Sequence, residues 1–205
     1  SNIVPWLQLK ERKGIEIKWI DIDDRGQLVL SQLDDYLREG NVKLVSVTAQ
    51  SNVTGVRPPL REIIMAAHKH DALALVDAAQ SVSHHRTDVQ DLDCDFLTFS
   101  GHKLYGPTGI GVLYGKRDLL QSMPPFLGGG MMIREVHQDR FTPADLPQKF
   151  EAGTPPVAEA VGLASAIEWL GQYSWEDIEA YEFHLLRVAM DSLNSVSGLK
   201  ILGNP

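Results

Sequence analysis

The sequence predicts an α/β fold built on a mostly parallel sheet, and two observations carry that prediction. Short β-rich segments alternate with amphipathic helical segments through the first half of the chain, the pattern of strands joined by helical crossovers. One of those segments, "ALALVD" (72–77), is a continuous apolar run, as expected for a parallel strand covered on both faces.

The elements follow in order. The opening residues, Ser1 to Trp6, read as the start of a helix. "IEIKWIDI" (15–22) alternates apolar and polar side chains, which predicts a half-buried strand. "SQLDDYLREG" has helical spacing and a stop glycine, Gly40. "VKLVSVTA" (42–49) reads as a buried strand, and "PLREIIMAAHKHD" (59–71) as an amphipathic helix with proline in its first turn. After 72–77 come two more short strands, "DFLTFS" (95–100) and "GIGVLYG" (109–115). Residues 124–155 are rich in proline and glycine and have no period. Excursions of that length inside a domain are usually functional or disordered. Helical spacing returns in "PVAEAVGLASAIEWLGQY". "SWED" (174–177) places a cap serine three residues before an acid, opening a helix that runs to about Asn194. "KILG" (200–203) reads as a closing strand. The expected division is a first domain over 1–155 that includes the excursion over 124–155. Connecting helices and the start of a smaller α/β domain would occupy 156–205. Both ends read as cut, so the chain is expected to be an internal piece of a longer protein.

Composition excludes several classes. Hydrophobic residues make up 43% of the 205 residues and charged residues 22%, enough apolar material for a real core. The formal net charge is −8 with no Lys/Arg run, which argues against nucleic-acid binding. No apolar run reaches the roughly 20 residues of a membrane span. A single cysteine precludes an internal disulfide and fits a reducing compartment, so the expected location is cytoplasmic.

Ligands of open α/β sheets bind beyond the carboxyl ends of the strands. Past 42–49 come Gln50, Ser51 and Asn52; at the end of 72–77 stands Asp77, with Gln80 a turn later; past 95–100 come His102 and Lys103. Each has an ordinary explanation alone: a cap for Asp77, a turn for Asn52, a solvated lysine for Lys103. Their convergence on one edge is what needs a cause. A phosphate-binding loop of the G-x-x-x-x-G-K-[ST] kind fails, because His102 precedes Lys103 and Leu104 follows it. A metal on His84, His85 and Asp88 fits poorly, since adjacent histidines do not readily face one ion. The set that remains is that of pyridoxal phosphate: a lysine that condenses with the aldehyde, and a carboxylate that keeps the pyridine nitrogen protonated. The lysine, freed by an incoming amine, can then move the substrate's α-proton.

The run "LVDAAQSVSHHRTDVQDLDCDFLTFSGHKLYGPTGIGVLYGK" resembles the core of the fold-type-I pyridoxal-phosphate enzymes of aminotransferase class V. More narrowly it resembles the cysteine desulfurases of the SufS/Csd type, which also act as selenocysteine lyases. "SNVTG", "GGG" and "FEAGTP" are similar to further blocks of that group, in the same order. The resemblance implies roles. Lys103 would bind the cofactor covalently, Asp77 would pair with its pyridine nitrogen, and Gln80 would bond its phenolic oxygen. Ser100 and His102 would hold its phosphate. Thr154 would reach the phosphate of a partner subunit's cofactor, and Asn52 would lie beside the ring and the substrate carboxylate. It also implies a homodimer with sites near the interface, which would make 1–155 the cofactor-binding domain and 124–155 an active-site or dimer loop. The implied reaction takes sulfur from cysteine, possible also with selenocysteine, leaving alanine and an enzyme persulfide. A sulfur-acceptor protein in iron–sulfur cluster assembly would receive that sulfur.

The chain departs from the family pattern in what it leaves out. The nucleophilic cysteine and the arginine that grips the substrate carboxylate would lie beyond residue 205, and the ring-stacking histidine and a Gly/Thr phosphate loop before Ser1. The fragment alone is therefore expected to be inactive. Cys94, in "DLDCDFLTF", does not match the nucleophile and reads as a small core thiol. His84 and His85 read as structural at least as readily as cofactor-facing. Two other readings stay open: another class V enzyme (aminotransferase, epimerase or kynureninase-like hydrolase), and a non-catalytic scaffold or dimerisation piece.

Overall fold

The structure is a computed structural model that describes residues 2–203. Its elements are α1 (Val4–Lys13), α2 (Leu30–Glu39), β1 (Leu44–Thr48), α3 (Leu60–Lys69), β2 (Leu73–Asp77), α4 (Val89–Leu92), β3 (Phe96–Ser100), β4 (Gly111–Gly115), α5 (Arg117–Ser122), β5 (Ile133–Val136), β6 (Phe141–Pro143), α6 (Val157–Leu170) and α7 (Trp175–Asn194). The main sheet has the order β1-β2-β3-β4. β1, β2 and β3 are parallel, and β4 returns antiparallel to β3. The predicted α/β class and mostly parallel sheet are observed.

The core explains why these segments fold where they do. Val45 and Val47 of β1, Ala74 and Val76 of β2 and Leu97 of β3 are buried with Ile63, Ile64 and Ala67 of α3 and Leu33 and Leu37 of α2. Ile64 is 1% exposed; burying a side chain of that size is worth about 1.5–3 kcal/mol. Along β2 the buried positions alternate with half-buried ones. One face of the strand is thus sealed and the other only half covered, less than its uniformly apolar sequence suggested. The "SWED" cap forms as expected: the Ser174 hydroxyl accepts from the Asp177 N–H at 3.0 Å, and α7 ends at Asn194.

Two predicted strands do not form. Residues 15–22 are not a strand; their single ladder contact is an isolated antiparallel bridge between Ile22 and Leu28. Period-two alternation reports that a segment lies with one side against apolar surface, but a strand also needs a backbone neighbour. Here Ile15, Ile17 and Trp19 line a groove of 1090 Å³ together with Val45 and Val47 of β1, and the segment makes no ladder with that strand. "KILG" (200–203) is likewise without strand pairing. A short β-prone stretch does not by itself make a strand, because β-propensity depends on the packing around it.

The excursion over 124–155 is more ordered than its composition suggested. β5 and β6 form an antiparallel hairpin, Met132 is 1% exposed, and Arg134 pairs with Asp145. Among the described residues no helix is long and apolar enough to cross a membrane.

Candidate functional site

Parallel register decides where the candidate residues meet. Thr48 lies beside Asp77, and Asp77 beside Thr98, so the chain leaves β1, β2 and β3 at one level of the sheet edge. Asp77 is the last residue of β2 and Ser100 the last of β3. Gly101–Lys103 form one 3₁₀ turn directly after Ser100. Gln80 stands in the turn that follows β2, and Asn52 in the turn that follows β1. Lys103 is half-buried; His102 and Asn52 are exposed. The sheet thus brings Asn52, Asp77, Gln80, Ser100, His102 and Lys103 to one edge. Thr154 comes from a different part of the chain, exposed at the end of the excursion.

The glycines beside the lysine have a reason the sequence did not reveal. The Gly101 N–H donates to the Ile110 carbonyl at 2.8 Å, and the N–H groups of Leu104 and Gly106 both donate to the Gly101 carbonyl, at 2.9 and 3.0 Å. A Cβ on Gly101 would lie 2.8 Å from Ile110 Cγ2 and 3.1 Å from the Ile110 carbonyl oxygen. One on Gly106 would lie 2.9 Å from the Gly101 oxygen and 2.9 Å from Leu163 Cδ1. These residues are small because the turn folds onto its own backbone and onto α6.

Most polar side chains at this edge have no protein partner among the described residues. Asp77 Oδ1 accepts from the Ala79 N–H at 3.1 Å, so the ordinary turn-forming role of an aspartate is real and occupies one oxygen. Among the described residues, Asn52, Gln80, Ser100, His102, Lys103 and Thr154 make no side-chain hydrogen bond or ion pair, and Asp77 makes no ion pair. The buried Oε1 of Gln50, at the end of the chain's run out of β1, also has no partner. Buried polar atoms such as Gln50 Oε1 are normally satisfied.

The opposite end of the same sheet shows the contrast. Asp95, just before β3, is 4% exposed. Its carboxylate accepts from the Ala74 N–H at 2.8 Å, meets His68 Nε2 at 2.8 Å and pairs with Lys116 Nζ at 3.0 Å. Lys116 also holds Asp93 at 2.7 Å. Burial alone would raise the Asp95 carboxyl, but the Ala74 N–H, His68 and Lys116 outweigh it and hold it below the ordinary carboxylate range. Burial would lower the Lys116 ammonium, yet its bonds to Asp93 and Asp95 raise it instead. One end of the sheet is closed by paired charges, and at the other Asp77 and Lys103 have no ion-pair partner among the described residues. The Asp95 knot was not legible in the sequence; "DCD" beside an apolar run was its only trace.

The remaining candidates have structural positions. His84 Nδ1 meets Glu182 at 2.7 Å and His85 Nδ1 meets Glu179 at 2.9 Å, tying the turn after β2 to α7. The Asp88 carboxylate caps α4 by accepting from the N–H groups of Gln90 and Asp91. The two histidines thus serve the tie to α7 and Asp88 the cap of α4, and among the described residues no group of three or more His, Cys, Asp or Glu is placed to hold a metal. Cys94 is fully buried, and burial pushes its thiol up.

A carboxylate, an amide, an amine, a hydroxyl and an imidazole with free polar atoms, converging past three strand ends, fit a flat, anionic, aldehyde-bearing cofactor such as pyridoxal phosphate.

Comparison with known proteins gives the same direction. The family model described as aminotransferase class-V matches residues 1–205. A cysteine desulfurase of Dickeya dadantii is 50% identical over 204 residues, which is 99% of this chain and 49% of that protein. The crystal structure of the cysteine desulfurase CsdA from Escherichia coli superposes with a TM-score of 0.91 at 42% identity, covering 96% of this chain and 49% of the other. The apo cysteine desulfurase from Thermococcus onnurineus gives 0.88 at 34% identity, covering 98% and 52%. The chain spans about half the length of the curated relatives it matches.

Proposed function

The chain belongs to the aminotransferase class-V family, a pyridoxal-phosphate-dependent family, and on that premise we propose that its parent protein is a cysteine desulfurase. The observation that carries the reading is the sheet edge at which Asp77 and Lys103 stand without ion-pair partners among the described residues.

In this reading Lys103 Nζ holds the cofactor covalently. The free oxygen of Asp77 keeps the pyridine nitrogen protonated, and the Gln80 amide bonds the phenolic oxygen. The Ser100 hydroxyl and the His102 imidazole bind the phosphate, while Asn52 lies beside the ring and the substrate carboxylate. Thr154 serves the phosphate of a second subunit's cofactor, so the parent acts as a homodimer. Bound there, pyridoxal phosphate supplies an electron sink for the substrate's Cα–H bond. With the cofactor bound, Lys103 Nζ would be placed to take the Cα proton of L-cysteine as a general base. A cysteine thiolate of the parent protein would attack the substrate sulfur, forming an S–S bond as the Cβ–S bond breaks; the electron pair stays with the substrate, and protonation at Cβ gives alanine. Alanine leaves, and the persulfide passes to a sulfur-acceptor protein for iron–sulfur cluster assembly. Cys94 is not that thiolate, because it is fully buried and held in the thiol form. The 1–155 and 156–205 division assigns the site to the first part and the link to a smaller domain to the second. A cytoplasmic location agrees with chemistry that runs through a free thiol.

The test uses the full-length parent. It should be yellow as purified, and borohydride reduction should fix the cofactor to the peptide containing Lys103. With L-cysteine it should release alanine. Cofactor fixed at another lysine, or no alanine release from the loaded protein, overturns the reading.

A further inference from the structure

A lysine rarely lies in the protein interior without partners that match its charge. Lys149 is 8% exposed, and no step of the proposed reaction uses it. Its Nζ donates to the carbonyls of Leu120 at 3.0 Å and Gln121 at 2.9 Å. Those carbonyls belong to the last turn of α5, where no intrahelical N–H reaches them and where the helix presents its negative end. The ammonium also stands 5.3 Å from the ring centroid of Phe150. The excursion that carries Thr154 is thus nailed to α5.

The path from that nail to the site is short. Lys149 lies in the 3₁₀ turn Gln148–Phe150, closed by the Glu151 N–H to the Gln148 carbonyl at 2.9 Å. A second anchor follows, the Gly153 N–H to the Gly130 carbonyl at 2.9 Å. Thr154 is the next residue. On the other side, α5 begins two residues after β4 ends, and β4 is bonded along β3 as far as the pair Ser100–Gly111. One buried cation therefore links the segment bearing Thr154 to the strand bearing Ser100.

We propose that Lys149 is a positioning residue: by capping α5 it fixes Thr154 in place to bind the phosphate of pyridoxal phosphate in a second copy of the chain. This inference rests on the reading of Thr154 given above. Lys149 touches no cofactor atom; it acts through Thr154, so its effect disappears when Thr154 is gone.

The experiment measures cofactor dissociation from the full-length parent, by trapping released pyridoxal phosphate, for wild type, Lys149→Met, Lys149→Arg, Thr154→Ala and the double variant Lys149→Met/Thr154→Ala. Limited proteolysis across 124–155 in the cofactor-free protein supplies a readout independent of activity. Lys149→Met and Thr154→Ala should each release cofactor about tenfold faster, the size of one hydrogen bond to an anion. The double variant should be no faster than Thr154→Ala, Lys149→Arg should hold cofactor as wild type does, and Lys149→Met should be cut more rapidly within 124–155. Dissociation from Lys149→Met at the wild-type rate overturns the proposal, and so do effects that multiply in the double variant. If Thr154→Ala alone leaves dissociation unchanged, the Thr154 reading falls and this inference with it. If Thr154→Ala acts while Lys149→Met is silent, only the inference falls. Should Lys149→Met not accumulate, Lys149→Gln keeps the test decisive: intermediate release supports the proposal and wild-type release refutes it.

Discussion

Replacing Asp95 with alanine removes a carboxylate that fastens the amino ends of β2 and β3 together. The cost can be worked contact by contact. The Ala74 N–H lies on a residue with 0% exposure, so it loses its only acceptor without gaining water, at about 1–3 kcal/mol. Lys116 retains Asp93 at 2.7 Å and is 34% exposed, so its loss is at the level of a surface pair, at most about 1 kcal/mol. His68 is 29% exposed and keeps Asp93 at 3.5 Å, and contributes little. The sum is about 1–4 kcal/mol. The pH dependence has a definite sign. The folded Asp95 carboxyl is depressed below the unfolded value, which is near 3.9. Its stabilisation is present above the unfolded value and is lost as pH falls through the folded one. Urea unfolding of the full-length parent, compared with Asp95→Ala, should show the full gap at pH 7 and a narrowing gap below about pH 4. Cofactor uptake at pH 7 should not change, because the knot lies at the far end of the sheet from Lys103. A gap below 1 kcal/mol at pH 7, or one that widens in acid, would falsify this account of Asp95.

Two further outcomes are expected. Gly101→Ala must push a methyl against Ile110 Cγ2 and the Ile110 carbonyl oxygen, overpacking worth about 1–3 kcal/mol; it should lower the melting temperature and weaken cofactor binding in a spectroscopic titration, and wild-type values for both would remove the close-approach argument. Incubated with cofactor and L-cysteine, the 205-residue chain by itself should release no alanine, since its single cysteine, Cys94, is fully buried as a thiol; alanine release that survives Cys94→Ala would show that sulfur leaves by another route.

Much of the site was legible because its residues are local in sequence. Ser100, His102 and Lys103 occupy one short stretch, Asp77 and Gln80 another, and each follows an apolar run that declares a strand. The β1–β4 strands were legible for the same reason. The strand expected at 15–22 was not formed, because alternation describes a segment's two faces and says nothing of whether an edge lies within hydrogen-bonding distance. The excursion over 124–155 hid a hairpin and a buried lysine, because neither proline-rich composition nor a lone Lys149 records which distant carbonyls will be close in space.

By itself the sequence determined the α/β class, the strand ends and the residue types that suit a pyridoxal-phosphate site. Those depend on local periodicity and on neighbours along the chain. Tertiary structure alone decided the rest. It set the register that levels Thr48, Asp77 and Thr98, and the Asp95 knot that closes one end of the sheet while the other stays open. It gave the glycines around Lys103 their reason, contact with Ile110 and Leu163, and buried Lys149 against α5. These are contacts between residues far apart in the chain, and their energies depend on which buried groups find partners when the sheet is assembled.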